Sequence, residues 1–380
     1  MARVLISVTH LLGTGHLSRA LTLARAFGTA GHEAHVMSGG MPVAHLPTDG
    51  VTLHQLPPVK SDGVNFTDLL CENGPVDDTY LKARKRAAIN TLTKVRPDVF
   101  ITELYPFGRR VLKAEFLAML NTARDMAPKP LILCSVRDIL APPSKPKKAL
   151  ETEAVIAGYY DGVLVHSVGE ITPLDVSWPV TNMLREKLLY TGYVAPELAP
   201  AHPDGVGTGE VLVTAGGGNV GMGLFRAALQ AAALDQNTPY RVLVGGAAAQ
   251  SNIAALLGEG PSDNVTIEPT RPDFRQMLPL AKAAICMCGY NTALDVLQSG
   301  LPAVFVPFDA GGEVEQTLRA ESLSKTDGYA VVKSGDANGE TLSAALRSVC
   351  AMDVRPMEEG QFQGAAQTVQ IVENKLAAMR

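Results

Sequence analysis

No run of about eighteen uncharged apolar residues occurs in the 380-residue chain, so no membrane-spanning helix is expected. The opening stretch from Met1 to His10 is too short, and too soon interrupted by polar residues, for a secretory leader. Basic residues are not in excess. There are 33 Lys and Arg against 38 Asp and Glu, a net charge of −5, which argues against a nucleic-acid partner because that role needs a dense basic surface. Cysteine is sparse. Cys71, Cys134, Cys286, Cys288 and Cys350 are odd in number and lack the spacing of a disulfide framework. Cys286 and Cys288 stand in an apolar run, where small buried side chains are a better reading than metal ligands. A reducing, cytoplasmic compartment is the expectation.

With 46% hydrophobic and 19% charged residues the composition is that of an ordinary globular protein. The length is sufficient for two domains, each with a core of its own.

Val4 to Val8 is a continuous apolar run of the buried parallel-strand type. Gly13-Thr-Gly15-His16 follows, and then Leu17, Ala20, Leu21, Leu23, Ala24 and Phe27 recur at helical spacing. A second strand begins near Gly31, completing a β-α-β unit and predicting a parallel sheet. A nicotinamide site with Glu33 as its ribose ligand fits the spacing poorly, because the third glycine position is Ser18 and His16 intrudes into the turn. His16 is instead a candidate general base, since imidazole suits accepting a proton from a hydroxyl near neutral pH. The alternative is a histidine that only caps the helix. For His10, at the strand end, a buried structural role is at least as good a reading.

The Pro-, Gly- and Asn-rich stretch from Pro42 to Pro75 predicts a strand and a long loop. Lys82, Arg84, Lys85 and Arg86 read as a solvated helix face. Further strands at 97–102 and 131–136 deliver Glu103, Arg109, Arg110, Arg137 and Asp138 to their carboxyl ends, where open α/β sheets bind ligands. Glu103 is a candidate to orient His16 or bind an acceptor, with an exposed loop carboxylate as the alternative. Arg109, Arg137 and Asp138, with Gly15, are candidate acceptor contacts, and surface ion pairs are the alternative for the charged three. The basic stretches 82–86 and 142–148 leave contact with an anionic membrane surface open beside simple solvation.

Ala195 to Gly209, rich in Pro and Gly, reads as a linker. After it come a strand and the loop Gly216, Gly217, Gly218, Asn219, Val220, Gly221 before a helix, a site suited to an anion such as a diphosphate. Near the other end, Cys288 to Asp295 predicts a strand end, a turn at Gly289 and a helix capped by Asn291 and Thr292. Asp295, one turn in, is placed to accept hydrogen bonds from two adjacent hydroxyls, as in a ribose. A strand ended by Pro307 leads through a glycine-rich loop to Glu315 and Gln316.

The run from 288 to 320, paired with the 216–221 loop, resembles the sugar-nucleotide-binding C-terminal domain of family 28 glycosyltransferases. That group contains the bacterial enzyme adding N-acetylglucosamine to the lipid-linked cell-wall precursor. The resemblance covers roughly residues 205 to 330. It implies that Asp295 holds the ribose hydroxyls, although the family usually has Glu there, and that Glu315-Gln316 stands where a Gln pair contacts the donor sugar. It also implies that the strand and loop around Arg271 lie beside the nucleobase. The first-domain loop is similar to the N-terminal loop of nucleotide-sugar transferases and hydrolases, though shorter in glycine than the cell-wall enzyme's.

These readings give an α/β protein of GT-B type, two Rossmann-like domains with parallel sheets facing across a cleft. Boundaries are expected at 1–195, a linker at 196–209, 210–358, and a terminal helix at 359–380 crossing back to the first domain. The expected activity is inverting transfer of a hexosyl group from a UDP-sugar to an acceptor hydroxyl, with His16 and Glu103 catalytic. No cofactor or metal is expected, because the cleft segments hold no Asp-x-Asp and a helix N-terminus can take the metal's place. A nucleotide-sugar hydrolase and a non-catalytic sugar-nucleotide-binding subunit are the alternatives. A position at the inner face of the membrane is compatible with each.

Overall fold

The protein is described from a computed structural model covering residues 1–44, 46–61, 68–218, 220–352 and 358–379. The chain divides into two compact units. The first comprises Met1–Gly169, Trp178–Val194 and Gln363–Arg380, and the second Glu170–Ser177 and Ala195–Phe362.

The first unit opens with β1 (Arg3–Val8), whose Val4, Leu5, Ile6 and Val8 are buried on both faces of the sheet, as a central parallel strand requires. Helix α1 (Gly15–Thr29) follows, with Leu17, Ala20, Leu21, Ala24 and Phe27 packed onto the sheet. Strands β2 (Glu33–Ser38) and β3 (Thr52–Gln55) come next, then a small antiparallel hairpin, β4 (Leu70–Cys71) and β5 (Gly74–Pro75). Helix α2 (Asp78–Val95) starts at an Asp77 cap and leads to β6 (Val99–Glu103). The unit continues through α3 (Lys113–Arg124), β7 (Leu131–Arg137), α4 (Pro146–Tyr159), β8 (Gly162–His166), α5 (Asn182–Lys187) and β9 (Leu188–Tyr190). Seven of these strands form one sheet in the order β3-β2-β1-β6-β7-β8-β9, and every pairing in it is parallel.

One reading of the sequence fails here. The basic run on α2 is not solvated throughout, because Arg84 is fully buried. Its Nη1 donates to the carbonyls of Gly39 at 2.7 Å and Pro57 at 2.5 Å, and its Nη2 to Thr9 Oγ1 at 3.0 Å. Its Nε lies 2.8 Å from Glu115 Oε2 on α3. Nη2 also donates to Glu115 Oε1 at 3.1 Å, so the charge is neutralised and both terminal nitrogens are bonded, while Nε meets Glu115 Oε2 as an ion pair without a hydrogen bond. Gly39 makes room for it, since a Cβ there would stand 2.0 Å from Arg84 Nη2.

In the second unit β10 (Val211–Thr214), α6 (Met222–Leu234), β11 (Tyr240–Val244), α7 (Ala249–Gly258) and β12 (Val265–Pro269) alternate as in the first. The short α8 (Phe274–Met277) precedes β13 (Ala283–Cys286), α9 (Tyr290–Ser299), β14 (Ala303–Phe305), α10 (Glu315–Leu323), β15 (Tyr329–Val331) and α11 (Gly339–Cys350). Its six-stranded sheet is again wholly parallel, in the order β12-β11-β10-β13-β14-β15. Val211, Val213, Val242, Val244, Ile285 and Val304 meet Phe225, Ala228 and Leu342 in its core.

The last helix, α12 (Gly364–Ala378), belongs to the first unit. Val369 and Val372 join the core cluster that contains α1 and β1, and Gly364 N donates to Tyr193 O at 2.9 Å.

Candidate functional site

Each sheet has one point where successive connections leave in opposite directions, between β1 and β6 in the first unit and between β10 and β13 in the second. Loops diverge there and open a crevice beyond the strands' carboxyl ends, the usual place for a ligand in a doubly wound sheet. His16 and Glu103 flank the first of these points. The loop of residues 216–221 and the start of α9 flank the second.

His16 stands on the first turn of α1, directly after β1, and Glu103 is the last residue of β6. Nδ1 of His16 lies 2.9 Å from Glu103 Oε1. An ionised carboxylate only accepts, so Nδ1 carries the hydrogen and Nε2 is the basic nitrogen. Among the described residues nothing hydrogen-bonds Nε2. Glu103 is 1% exposed, and it accepts from the Arg19 guanidinium at Oε1 and from Ser135 Oγ at Oε2, the latter at 2.6 Å.

Burial alone pushes the Glu103 carboxyl up, but the charge of Arg19, the hydrogen bond and charge of His16 and the Ser135 hydroxyl outweigh it. The group is held well below the ordinary carboxylate range. Removal from water draws His16 down to about 4, against the raising effect of its bond to Glu103 and with a further lowering from Arg109. At neutral pH the pair is therefore an anion beside an uncharged imidazole.

The network runs deeper. Ser135 Oγ is 2.9 Å from His166 Nε2, and His166 Nδ1 is 2.8 Å from Thr191 Oγ1. If Ser135 donates to Glu103, it must accept from His166, which fixes the hydrogen of that imidazole on Nε2. His166 is fully buried and drawn down to about 3, chiefly by desolvation.

Of the other candidates in this unit, Arg109 donates from Nε to Thr9 O at 2.5 Å, in the loop that leads to His16. Gly15 is exposed at the start of α1. Arg137 turns back to Ile139 O at 3.1 Å, and Asp138 is 1% exposed, so neither lies open at the surface as a free ion pair would. His10 is buried with Nε2 3.0 Å from Met41 O, a structural placement.

In the second unit Gly216, with φ +77°, turns the chain after β10, and its N–H donates to Thr214 Oγ1 at 3.1 Å. Gly217, Gly218 and Val220 are exposed, and Asn219 lies outside the described residues. Gly221, with φ +119°, caps α6. A Cβ on Gly216 would stand 3.5 Å from Thr292 Oγ1, so the loop and the start of α9 adjoin. The expected capping by Asn291 and Thr292 is not observed. Gly289 is the cap residue and α9 begins at Tyr290, one position early, which puts Asn291 and Thr292 inside the first turn, and no side chain caps the helix.

Asp295 lies on α9 but is engaged, with Oδ1 accepting from Arg275 Nε at 2.9 Å. The same guanidinium donates to Gln298 Oε1 at 3.0 Å and to Glu197 O at 2.6 Å. Arg271 is clamped by Asp273 at 2.8 and 2.7 Å, and His202 Nε2 approaches Asp273 at 3.0 Å. Gln316 Oε1 accepts from Phe308 N at 3.2 Å, which folds the preceding loop onto α10, and Glu315 N donates to Glu313 Oε1 at 2.6 Å.

Sequence reasoning missed Arg19, Ser135, His166 and Arg275. Arg19 had a signal, being three positions after His16 on one helix face. Ser135 is paired in register with Glu103 only once β6 and β7 are known to be neighbours. For Arg275 nothing in the sequence spacing points to Asp295.

Residues 211–374 match the glycosyltransferase family 28 C-terminal domain. The chain is similar along its length to the UDP-N-acetylglucosamine--N-acetylmuramyl-(pentapeptide) pyrophosphoryl-undecaprenol N-acetylglucosamine transferase of Rhodococcus opacus. The two are 25% identical over 394 residues, covering 96% of this chain and 94% of that protein. Among solved structures, the calicheamicin glycosyltransferase CalG4 matches with TM-score 0.66 at 17% identity, covering 99% of this chain and 98% of that one. MurG of Acinetobacter baumannii matches with TM-score 0.64 at 16% identity, covering 98% and 99%. Two doubly wound parallel sheets and these likenesses define a glycosyltransferase of the GT-B fold. Within that class its likeness is to family 28, through the C-terminal domain at residues 211–374 and the Rhodococcus relative. Among the described residues no helix is long and apolar enough to cross a membrane.

Proposed function

We propose that the enzyme transfers a hexosyl group from a UDP-sugar to an acceptor hydroxyl with inversion at the anomeric carbon, and that His16 is the general base. The observation that carries this reading is the 2.9 Å bond between His16 Nδ1 and the buried Glu103, which leaves Nε2 as an uncharged proton acceptor. Nε2 takes the hydroxyl proton as the acceptor oxygen attacks in line, and Glu103 stabilises the imidazolium that forms. The leaving diphosphate is met by the N–H groups of the 216–221 loop and the positive end of α6. No metal is needed for that step. Asp295 takes the ribose hydroxyls through the oxygen that Arg275 does not hold, and Gln316 with Glu315 faces the sugar. UDP as the nucleotide is supported by the name of the Rhodococcus relative, which uses UDP-N-acetylglucosamine.

The test uses UDP-N-acetylglucosamine, UDP-glucose and dTDP-glucose labelled in the sugar, in EDTA, with acceptors that include the lipid-linked muramyl pyrophosphate. Transfer with inverted anomeric configuration by NMR is expected, together with loss of at least about 100-fold in kcat for His16→Ala at unchanged UDP affinity. Full turnover in His16→Ala rejects the base assignment. Release of free sugar at the same rate with and without acceptor marks a hydrolase instead.

A further inference from the structure

We propose that Arg19 is a positioning residue for the His16–Glu103 pair: its buried guanidinium keeps Glu103 an anion and thereby keeps the hydrogen of His16 on Nδ1 and the lone pair on Nε2. The proposal rests on the reading of His16 as the base. It adds a residue that touches neither substrate nor the reacting atoms.

The geometry is specific. Arg19 lies one turn after His16 on α1, is 6% exposed, and places Nη2 in contact with Glu103 Oε1 and 3.3 Å from His16 Nδ1. Nη2 thus sits against both members of the pair: its hydrogen bond is to Glu103 Oε1, and toward Nδ1–H it stands as a neighbouring charge and not as a bonded donor, since both nitrogens carry hydrogen. A guanidinium cannot lose its proton, so its charge is permanent at every working pH. It makes an ionised Glu103 the favoured state in a site closed to water. It also disfavours a second proton on His16, opposing the pull that a lone buried carboxylate would exert on the imidazole.

The groups facing the pair from the surrounding elements are few. Ser135 and Cys134 come from β7, His166 from β8, and Arg109 from the segment after β6. Ser135 is neutral, and burial keeps the Cys134 thiol and the His166 ring uncharged at neutral pH. Arg109 is bound at Thr9 O and acts on His16 only through its charge. Arg19 is therefore the one cation that hydrogen-bonds Glu103 among the described contacts. Without it Glu103 keeps only Ser135 and His16 as bonded partners among the described contacts, with the Arg109 charge acting on His16. Either His16 takes a proton from solvent and becomes imidazolium, or Glu103 takes one and the tautomer is no longer fixed. Both outcomes remove the neutral Nε2 base from the population near pH 5.

The measurement is the titration of His16 by NMR of protein with nitrogen-15 histidine, beside the pH profile of kcat/KM. In the native enzyme the Nδ1–H tautomer is expected, titrating below pH 5. In Arg19→Gln the His16 titration and the acidic limb of the profile should both rise by at least one pH unit, so that at pH 5 kcat/KM falls to about half of its pH 8 value or less, a loss the native enzyme does not show at that pH. UDP affinity should stay within twofold. Arg19→Lys, which restores the charge, should return the limb most of the way. A His16 titration in Arg19→Gln at its native position overturns the proposal. If that variant does not fold, an Nε2–H tautomer in the native enzyme overturns it equally. Should His16→Ala retain turnover, the base reading fails, while the NMR comparison still decides what Arg19 does to His16.

Discussion

His16 and His166 are both held uncharged by burial, so acid works against the first unit before it reaches any carboxylate. An unfolded histidine binds its proton near 6.5, whereas in the folded chain His16 waits until about 4 and His166 until about 3. Between these values the unfolded state holds more protons. Stability contributed by both groups is complete above about 6.5 and is lost as pH falls through the folded values, on the order of 3 kcal/mol for His16 alone. Urea midpoints should fall steadily from pH 7 to pH 4.5, and His16→Gln should flatten that slope. Glu103→Gln is predicted to lower kcat by about 100-fold or more and also to destabilise by roughly 3 to 5 kcal/mol, because it leaves the Arg19 cation buried without its anion. Ser135→Ala, which removes a donor to the ionised Glu103 and the acceptor of the buried His166 Nε2–H, should cost about 2 to 4 kcal/mol in a thermal melt. At this scale the sequence was readable where a residue sits beside a glycine turn or at a strand's end, as His16 and Glu103 do. Arg84 was not readable, since the Glu115 that neutralises it is 31 positions away and meets it only when α2 and α3 pack. Arg275 hid behind the same difficulty, and Asp295 therefore looked more open to a ligand than it is.

Loops and strand ends carry the proposed donor side, and there backbone space decides more than side-chain chemistry. Gly245 follows β11, and a Cβ on it would stand 2.2 Å from the carbonyl oxygen of Gly216. That contact is with backbone, so the 216–221 loop itself must shift to relieve it. Gly245→Ala is predicted to weaken UDP binding about tenfold or more in calorimetry, while the His16 titration in the other unit keeps its native position. The loop's tight course was legible from its glycines, and the strand-loop-helix order from alternating apolar runs. The helix start at Tyr290 was not, because Asn291 and Thr292 are strong capping types and only the chain's extended geometry at Gly289 shows which residue precedes the helix.

Seen as a whole, the first unit is not contiguous in sequence, since α12 arrives after the entire second unit has been made. Val369 is 6% exposed and Val372 is fully buried in the cluster shared with α1 and β1. Gly364 begins the helix so close to Gly192 that a Cβ would meet its carbonyl oxygen at 2.5 Å. His32 Nε2 adds a contact to Glu373 at 3.1 Å. Without this helix the apolar faces of α1, including Leu17 and Leu21, lose their cover. The apolar residues near the C-terminus suggested a helix and the GT-B architecture implied its return, but the inclusion of residues 178–194 with the first unit, apart from 170–177, follows from tertiary packing alone. Two changes test the dependence. Ending the chain at Phe362 should yield protein that is largely insoluble or bound by chaperones, with the second unit still able to bind UDP once proteolysis has trimmed the first. Val372→Asp places an unpaired carboxylate in the same core and should cost several kcal/mol, about 3 or more, lowering the first thermal transition while leaving a second, UDP-stabilised one in place. A single unchanged transition in Val372→Asp would mean that α12 is not needed to complete the first core.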